Sequence, residues 1–415
     1  MGALVESEGQ PLKDNSLQGI CGRHWQLLGA WLFLRVLTSL WAALVSTLHP
    51  LTAREQSIAL WPPSTPWGAW LERVLLAPWE RWDVKWYLQI VTQGYQPSDG
   101  TAQFHPLFPW LAMPLARLTG DPLLGLLIVA SLSGLFMLLA FWQLATLDLA
   151  PDSANVSAWL LLSAPVSFVL SAPYPEALFL LWAVLCFLFA RRKSWWLAGG
   201  AGALAVLTRQ QGLLLALPLA WELWESAGRD WRRALRSWRD WLSLALIPGG
   251  MLFWVLYRAW ILHDVHVDTN SFHTLVYSLL ISPSASQVVP EQTFMWPWQA
   301  LALALRQFGQ APDYRQLLDL GLGGIFVLPL ILGWKQLRMS YRIYAVAVAW
   351  VSFSYYTGPK YPYMGLPRHL LLAFPIFIGL GALVRKPWQR LSLLVVNLFG
   401  MSFLLLQYVL KGWVP

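Results

Sequence analysis

Trp79-Glu80-Arg81-Trp82-Asp83-Val84-Lys85-Trp86-Tyr87, then Gly94-Tyr95, then Phe104-His105-Pro106-Leu107-Phe108-Pro109, is the stretch on which the reading of this chain turns. It concentrates charge and indole between the first and second long apolar runs of a mostly apolar sequence. On a helix, Asp83 and Tyr87 share one face, while Trp79, Trp82 and Trp86 form a second stripe. Gly94 is placed to end that helix. Indole prefers the headgroup zone, so the stripe predicts an interfacial helix with the Asp83 carboxylate at the edge of the lipid.

The rest of the chain sets that stretch in a membrane. Of 415 residues, 57% are hydrophobic and 12% charged, against about 25% charged in a soluble domain. The mean hydropathy is +0.49. The fold class expected is an all-α polytopic membrane protein of about 9–11 spans. Many of the 28 tryptophans should form interfacial belts. The net charge of +8 sits in basic clusters beside apolar runs. That pattern fits membrane orientation, and nucleic acid is not an expected partner. Cys21 precedes the first run and Cys186 lies inside another, so neither a disulfide framework nor a thiol metal site is expected. The segment Met1–Arg23 carries no signal-peptide pattern, which leaves the first span as an anchor.

Apolar runs fall near 26–48, 122–146, 154–170, 174–190, 241–262, 317–334, 341–357, 369–384 and 391–410. Arg191-Arg192-Lys193, the arginines from Arg229 to Arg239, the Lys335/Arg338/Arg342 group and Arg385/Lys386/Arg390 should all be cytoplasmic. Alternation from a cytoplasmic N-terminus satisfies every cluster if segment 196–220 enters and leaves on one side. That segment splits at Thr208-Arg209-Gln210-Gln211-Gly212, which predicts a re-entrant hairpin with Arg209 near its tip. One continuous span is the alternative. The domain plan is a cytoplasmic tail over 1–24, a catalytic membrane domain over 25–385 with a first outer loop at 49–121 carrying interfacial helices, and a last span and tail over 386–415. The other outer pieces are 263–316 and 358–368.

Read from spacing, Asp83 is either a general base at the membrane surface or an acid paired with Arg81 or Lys85. Further motifs follow in order: Ser163-Ala164-Pro165, then Tyr174-Pro175-Glu176-Ala177-Leu178-Phe179, then Arg209-Gln210-Gln211-Gly212, then Gly365-Leu366-Pro367-Arg368. Together with the opening stretch they resemble the GPI mannosyltransferase II (PIG-V-like) family over roughly 25–385. Trp86 stands where that family often has His, and His105 where it often has Phe.

The resemblance implies a GT-C-like bundle and an inverting glycosyltransferase. Its donor is a sugar, commonly mannose, on a polyprenyl or dolichyl phosphate, and its acceptor a glycolipid or glycan hydroxyl on the outer or lumenal face. The family's acids fall on Asp83 and Glu176 and its arginines on Arg209 and Arg368. Chemistry adds Lys360 and Arg35 as further cations for a departing phosphate. Arg35 alternatively pairs with Glu176, and Glu176 alternatively serves as a helix-start charge. His105, Tyr87 and Trp82 are candidate sugar contacts. His263, Asp264, His266, Asp268 and His273 crowd the second outer loop without a full ligand motif, so no cofactor is assigned, with a divalent metal as the alternative to a solvated loop. A lipid-linked-sugar transporter or flippase is the competing function. A prokaryotic plasma membrane is the favoured location, or the endoplasmic reticulum membrane in a eukaryote.

Overall fold

A computed structural model describes residues 17–50, 72–271, 275, 278–289 and 291–413. Residues 1–16 of the tail, 51–71 of the first outer loop, the Cys21 side chain and His273 lie outside what is described.

Among the described residues the architecture is all-α, apart from one two-residue antiparallel pairing of β1 (Thr293–Phe294) with β2 (Tyr355–Tyr356). The helices that position the site are, in order, α1 (Leu17–Leu48), α2 (Val84–Gln93), α3 (Leu107–Thr119), α4 (Pro122–Ala145), α5 (Pro151–Ser163), α6 (Glu176–Arg191), α7 (Trp195–Thr208) and α8 (Ala216–Ser226), with a short helix Trp231–Arg236 after it. They continue as α9 (Trp238–Trp260), α10 (Pro297–Gln310), α11 (Tyr314–Leu332), α12 (Met339–Ser354), α13 (Leu366–Leu371), α14 (Pro375–Leu383) and α15 (Pro387–Val409). Among the described residues five helices are long and apolar enough to cross a membrane: the Trp25–Leu48 part of α1, and α4, α9, α11 and α15. The chain is built as an integral membrane protein.

Four of the nine apolar runs form shorter helices, α5, α6, α12 and α14. Punctuation in the sequence explains this. Ala164-Pro165 stops α5, Pro175 starts α6, and Pro375 starts α14 shortly before Arg385. The central layer is α4, α6, α7 and α9, with α6 packed between α4 and α7. Small residues allow these close approaches; a Cβ on Gly202 of α7 would lie 2.6 Å from the Ile247 side chain of α9.

Polar contacts define one end of the bundle. Arg191, the last residue of α6, pairs with Asp148, after α4, at 2.7 Å. Tyr341 donates to the same carboxylate at 2.9 Å. Arg338 reaches Glu225 at 3.0 Å, and Ser340 donates to Glu222 at 2.5 Å. The basic residues at the end of α6, the end of α8 and the start of α12 therefore meet. Segment 195–226 enters and leaves at this one basic end, with its turn at Arg209, as the orientation argument required. The 14 residues of α7 carry that turn about 21 Å away. Exposed Trp196, Trp238, Trp334 and Trp388 mark the basic end, and exposed Trp260, Trp296 and Trp298 the other.

The opening stretch departs from its expected form. Trp79 ends a 3₁₀ turn, Ala77–Trp79, and is 1% exposed; the helix itself starts only at Val84. Trp82 between them takes a left-handed φ of 55°, so the indoles never form one stripe. α2 packs on α3 and α4 and buries Val84, Leu88 and Ile90. It is a core element rather than an interfacial one, because its apolar face has partners to bury against.

This arrangement fixes a labelling result. A cysteine introduced at Pro97 or Ser98 should react with an impermeant maleimide from outside the cytoplasm. One at Arg232 should react only after permeabilisation. Outside labelling at Arg232 would overturn the assignment of the basic end to the cytoplasm.

Candidate active site

The end opposite the basic clusters holds a second set of charges. Arg81 braces it. Its Nε donates to the Val409 carbonyl at 2.8 Å and its Nη1 to Ala77 and Glu80 carbonyls at 2.7 and 2.8 Å. It thus ties the first outer loop to the end of α15, and it does not pair with Asp83. Lys85 does not pair with Asp83 either; its ammonium lies over the Trp86 ring at 4.8 Å.

Asp83 instead meets Arg368, distant by 285 positions. Nη1 and Nη2 of Arg368 donate to Asp83 Oδ2 at 2.9 and 3.0 Å. Arg368 Nε lies 3.3 Å from Oε1 of Glu176, and Arg209 Nη1 pairs with that same oxygen. The guanidinium of Arg368 rests over the Tyr174 ring, 5.0 Å from its centroid. The result is one alternating chain, Asp83–Arg368–Glu176–Arg209. Glu176 is fully buried and its Oε2 has no hydrogen-bond partner. It opens α6, a position where its charge suits the helix dipole, and it pairs with both arginines. Two carboxylates and two guanidiniums balance in charge, which a poorly solvated site requires.

Each arginine is placed by a local break. α7 ends where Arg209 turns extended, at φ −156° and ψ 143°. The chain then doubles back through a 3₁₀ turn, Gln210–Leu215. A Cβ on Gly212 would lie 2.4 Å from the Val206 amide nitrogen, so only glycine permits the return. Arg368 sits in the first turn of α13 behind Gly365, whose φ is 78°, and Pro367.

The chain of charges opens on a cavity of about 140 Å³ lined by Asp83, Tyr87, His105, Arg209 and Arg368. Gln103, Gln210, Gln211, Gln292, Thr357, Tyr355 and His369 add to its polar wall. The β1–β2 pairing holds Phe294 and Tyr355 at its rim by joining the second outer loop to the end of α12. Tyr87 is buried and meets Phe104 and Phe108 edge-on at 5.1 and 5.2 Å. His105 is buried against Trp254, and its Nδ1 has no hydrogen-bond partner. Burial, and then the positive charge of Arg258, push its pKa down to about 3. His105 is therefore a neutral imidazole, able to accept a hydrogen bond at Nδ1.

Of the candidates from sequence, the cavity gathers Asp83, Arg209, Arg368, His105 and Tyr87, with Glu176 joining two of them. Trp82 and Lys360 are not among the lining residues. Lys360 is exposed, with its ammonium 5.4 Å from the Tyr361 ring centre. Arg35 does not pair with Glu176; it stacks on Trp79 at 5.2 Å. Among the described residues no group of three or more His, Cys, Asp or Glu is arranged to hold a metal. Asp264 accepts hydrogen bonds from Ser282 and Ser284, a structural tie within its loop. Gln210 and Gln211 belong to the motif that carries Arg209, and His369 follows Arg368 without a signal of its own. Gln292 and Thr357 carry no sequence signal.

Glu80, next to the brace, gives a pH prediction. Its Oε1 has no hydrogen-bond partner. Desolvation raises its pKa from 4.5 to about 7, against the opposing charges of Arg81 and Lys411. The folded protein thus holds a proton that the unfolded chain releases between these values. This contribution to stability is complete below about 4.5 and is lost as pH rises to about 7. The melting temperature in detergent should fall across that interval, and Glu80→Gln should flatten this part of the profile. An unchanged slope in the variant would assign the effect to another group.

The fold and site define an α-helical membrane protein with a charge-balanced cavity at its non-basic end. No family model and no curated protein matches the chain. Among solved structures it is similar to "ArnT from Cupriavidus metallidurans bound to Undecaprenyl phosphate", with 16% identity and a TM-score of 0.45, covering 82% of this chain and 64% of that one. The apo form of that protein gives 16% identity, a TM-score of 0.45, and coverage of 81% and 63%. The Archaeoglobus fulgidus oligosaccharyltransferase in complex with Zn and sulfate gives 14% identity and a TM-score of 0.45, covering 92% of this chain and 53% of that one. The chain spans less than two thirds of the length of each of these proteins.

Proposed function

We propose that this chain is an integral-membrane, inverting glycosyltransferase of the GT-C type. It moves a sugar, with mannose the first choice, from a polyprenyl phosphate to a hydroxyl of a glycolipid or glycan on the outer or lumenal face. The observation that carries the reading is the Asp83–Arg368–Glu176–Arg209 chain at the edge of one cavity. The motif order along the sequence supports it.

The residues divide the work as follows. Arg368 and Arg209 receive the phosphate as negative charge builds on the leaving oxygen. Glu176 holds both guanidiniums in place from its buried position. Asp83 takes the proton of the acceptor hydroxyl as that oxygen bonds to the anomeric carbon and the carbon–phosphate oxygen bond breaks. The glutamine side chains and His105 Nδ1 offer donors and acceptors for sugar hydroxyls.

The test uses purified protein in nanodiscs, radiolabelled sugars on polyprenyl phosphate, and lipid extract from a strain lacking the gene as acceptor. Label should move into extract with the wild-type protein and not with Asp83→Asn. A transporter or flippase would bind the donor and move no label with either protein.

A further inference from the structure

A second cation lies apart from the cavity. Arg35 of α1 is half-buried, and its buried Nη1 has no hydrogen-bond partner. Its one described contact of note is Trp79, whose ring it covers at 5.2 Å. It lines a groove of about 320 Å³ with Ser39, Ser131, Leu75, Leu132, Ile128 and three further leucines. No carboxylate is among these residues. An arginine at membrane depth ordinarily faces a partner or a polar cavity, and this groove supplies neither from the described protein.

The shape of the groove suits a lipid. Ser39 lies one turn along α1 from Arg35, on the same face, and Ser131 faces them from α4. Among the described lining residues these three are polar and the rest apolar. Leu75 and Leu132 are exposed at its mouth, so it opens sideways. It is closed on the cytoplasmic side, where Trp31 seats on Gly134; a Cβ there would come within 2.4 Å of the indole. Ser131 is nine residues into α4, about 14 Å from its outer end, so a phosphate would enter down the groove to reach it. Among the described residues, the groove and the reaction cavity share no lining residue.

We propose that this groove binds the phosphodiester of an anionic membrane phospholipid, with Arg35 as its cation and Ser39 and Ser131 as hydroxyl donors. One guanidinium and two hydroxyls match the single negative charge of a phosphodiester. The acyl chains would follow the exposed leucines into the bilayer. Bound there, the lipid supports Trp79 and with it the loop that carries Asp83.

Native mass spectrometry of the whole protein, titrated separately with phosphatidylglycerol, phosphatidylcholine and polyprenyl phosphate, tests this. Wild type should retain one phosphatidylglycerol at least tenfold more tightly than phosphatidylcholine. Arg35→Gln should weaken that binding by about ten- to a hundredfold, the range for losing a charge-assisted hydrogen bond. Ser131→Leu, which fills the groove and keeps Arg35, should weaken it in the same direction and guards against a folding defect in the first variant. Unchanged phosphatidylglycerol binding in either folded variant overturns the site. Equal binding of phosphatidylcholine overturns the charge argument. Displacement of phosphatidylglycerol from Arg35 by polyprenyl phosphate would make the groove a substrate site and overturn the assignment to a structural lipid.

Discussion

Asp83→Asn is expected to lower sugar transfer by roughly two to four orders of magnitude, the usual contribution of a positioned general base. Asparagine keeps the shape and still accepts hydrogen bonds from Arg368, but it cannot take the acceptor's proton. Asp83 lies before α2 and outside the long apolar helices, so insertion and folding should survive. Arg368 also retains Glu176 at 3.3 Å. Asp83→Glu keeps the charge but shifts the carboxylate by one methylene and should be less completely impaired. Transfer of radiolabelled sugar by the two variants in nanodiscs measures both effects. Near-normal transfer by Asp83→Asn would remove the base assignment and move it to Glu176.

Arg368→Ala should fail in two ways. The variant leaves Asp83 without its described cation and Glu176 with Arg209 alone. Breaking a buried ion pair by removing one partner costs about 3–5 kcal/mol; Asp83 is 28% exposed, which places its share at the lower end. Loss of a leaving-group stabiliser lowers turnover by a further factor of about ten to a thousand. Arg368→Lys restores charge but not the two-nitrogen grip on Asp83 Oδ2, and should recover stability more than rate. Arg209→Ala should lower turnover similarly, since Arg209 lines the same cavity. Thermal melts in detergent separate the stability loss from single-turnover rates. Full activity in Arg368→Ala would place the phosphate elsewhere. Lys360, the next cation from sequence, is not among the cavity's lining residues and would then need to move to reach it.

Much of this was legible in the sequence because it rests on local signals. Apolar runs mark the helices, and basic clusters mark the shared end of segment 196–220. The Arg209-Gln210-Gln211-Gly212 break also marked a real turn, because Gly212 has no room for a side chain. What was not legible depended on contacts distant in sequence. Asp83 looked free to pair with Arg81 or Lys85, its neighbours, yet the structure gives it Arg368, 285 positions away. The tryptophan stripe failed for a related reason. Periodicity assumes an unbroken helix, and the left-handed Trp82 breaks it. Trp79 then turns inward against Tyr408 and Arg35. Gln292 and Thr357 reach the cavity only because the β1–β2 pairing folds one loop onto another, and two-residue strands leave no pattern to read.

The most direct test of the central claim is the lipid and glycan profile of a strain from which the gene has been deleted. If the cavity transfers a sugar from polyprenyl phosphate, the sugar-charged lipid should accumulate and one glycolipid or glycan should lose that sugar. Wild-type protein should restore both, and Asp83→Asn, made to the same level in the membrane, should restore neither. An unchanged profile in the deletion strain, or full restoration by Asp83→Asn, would contradict the account.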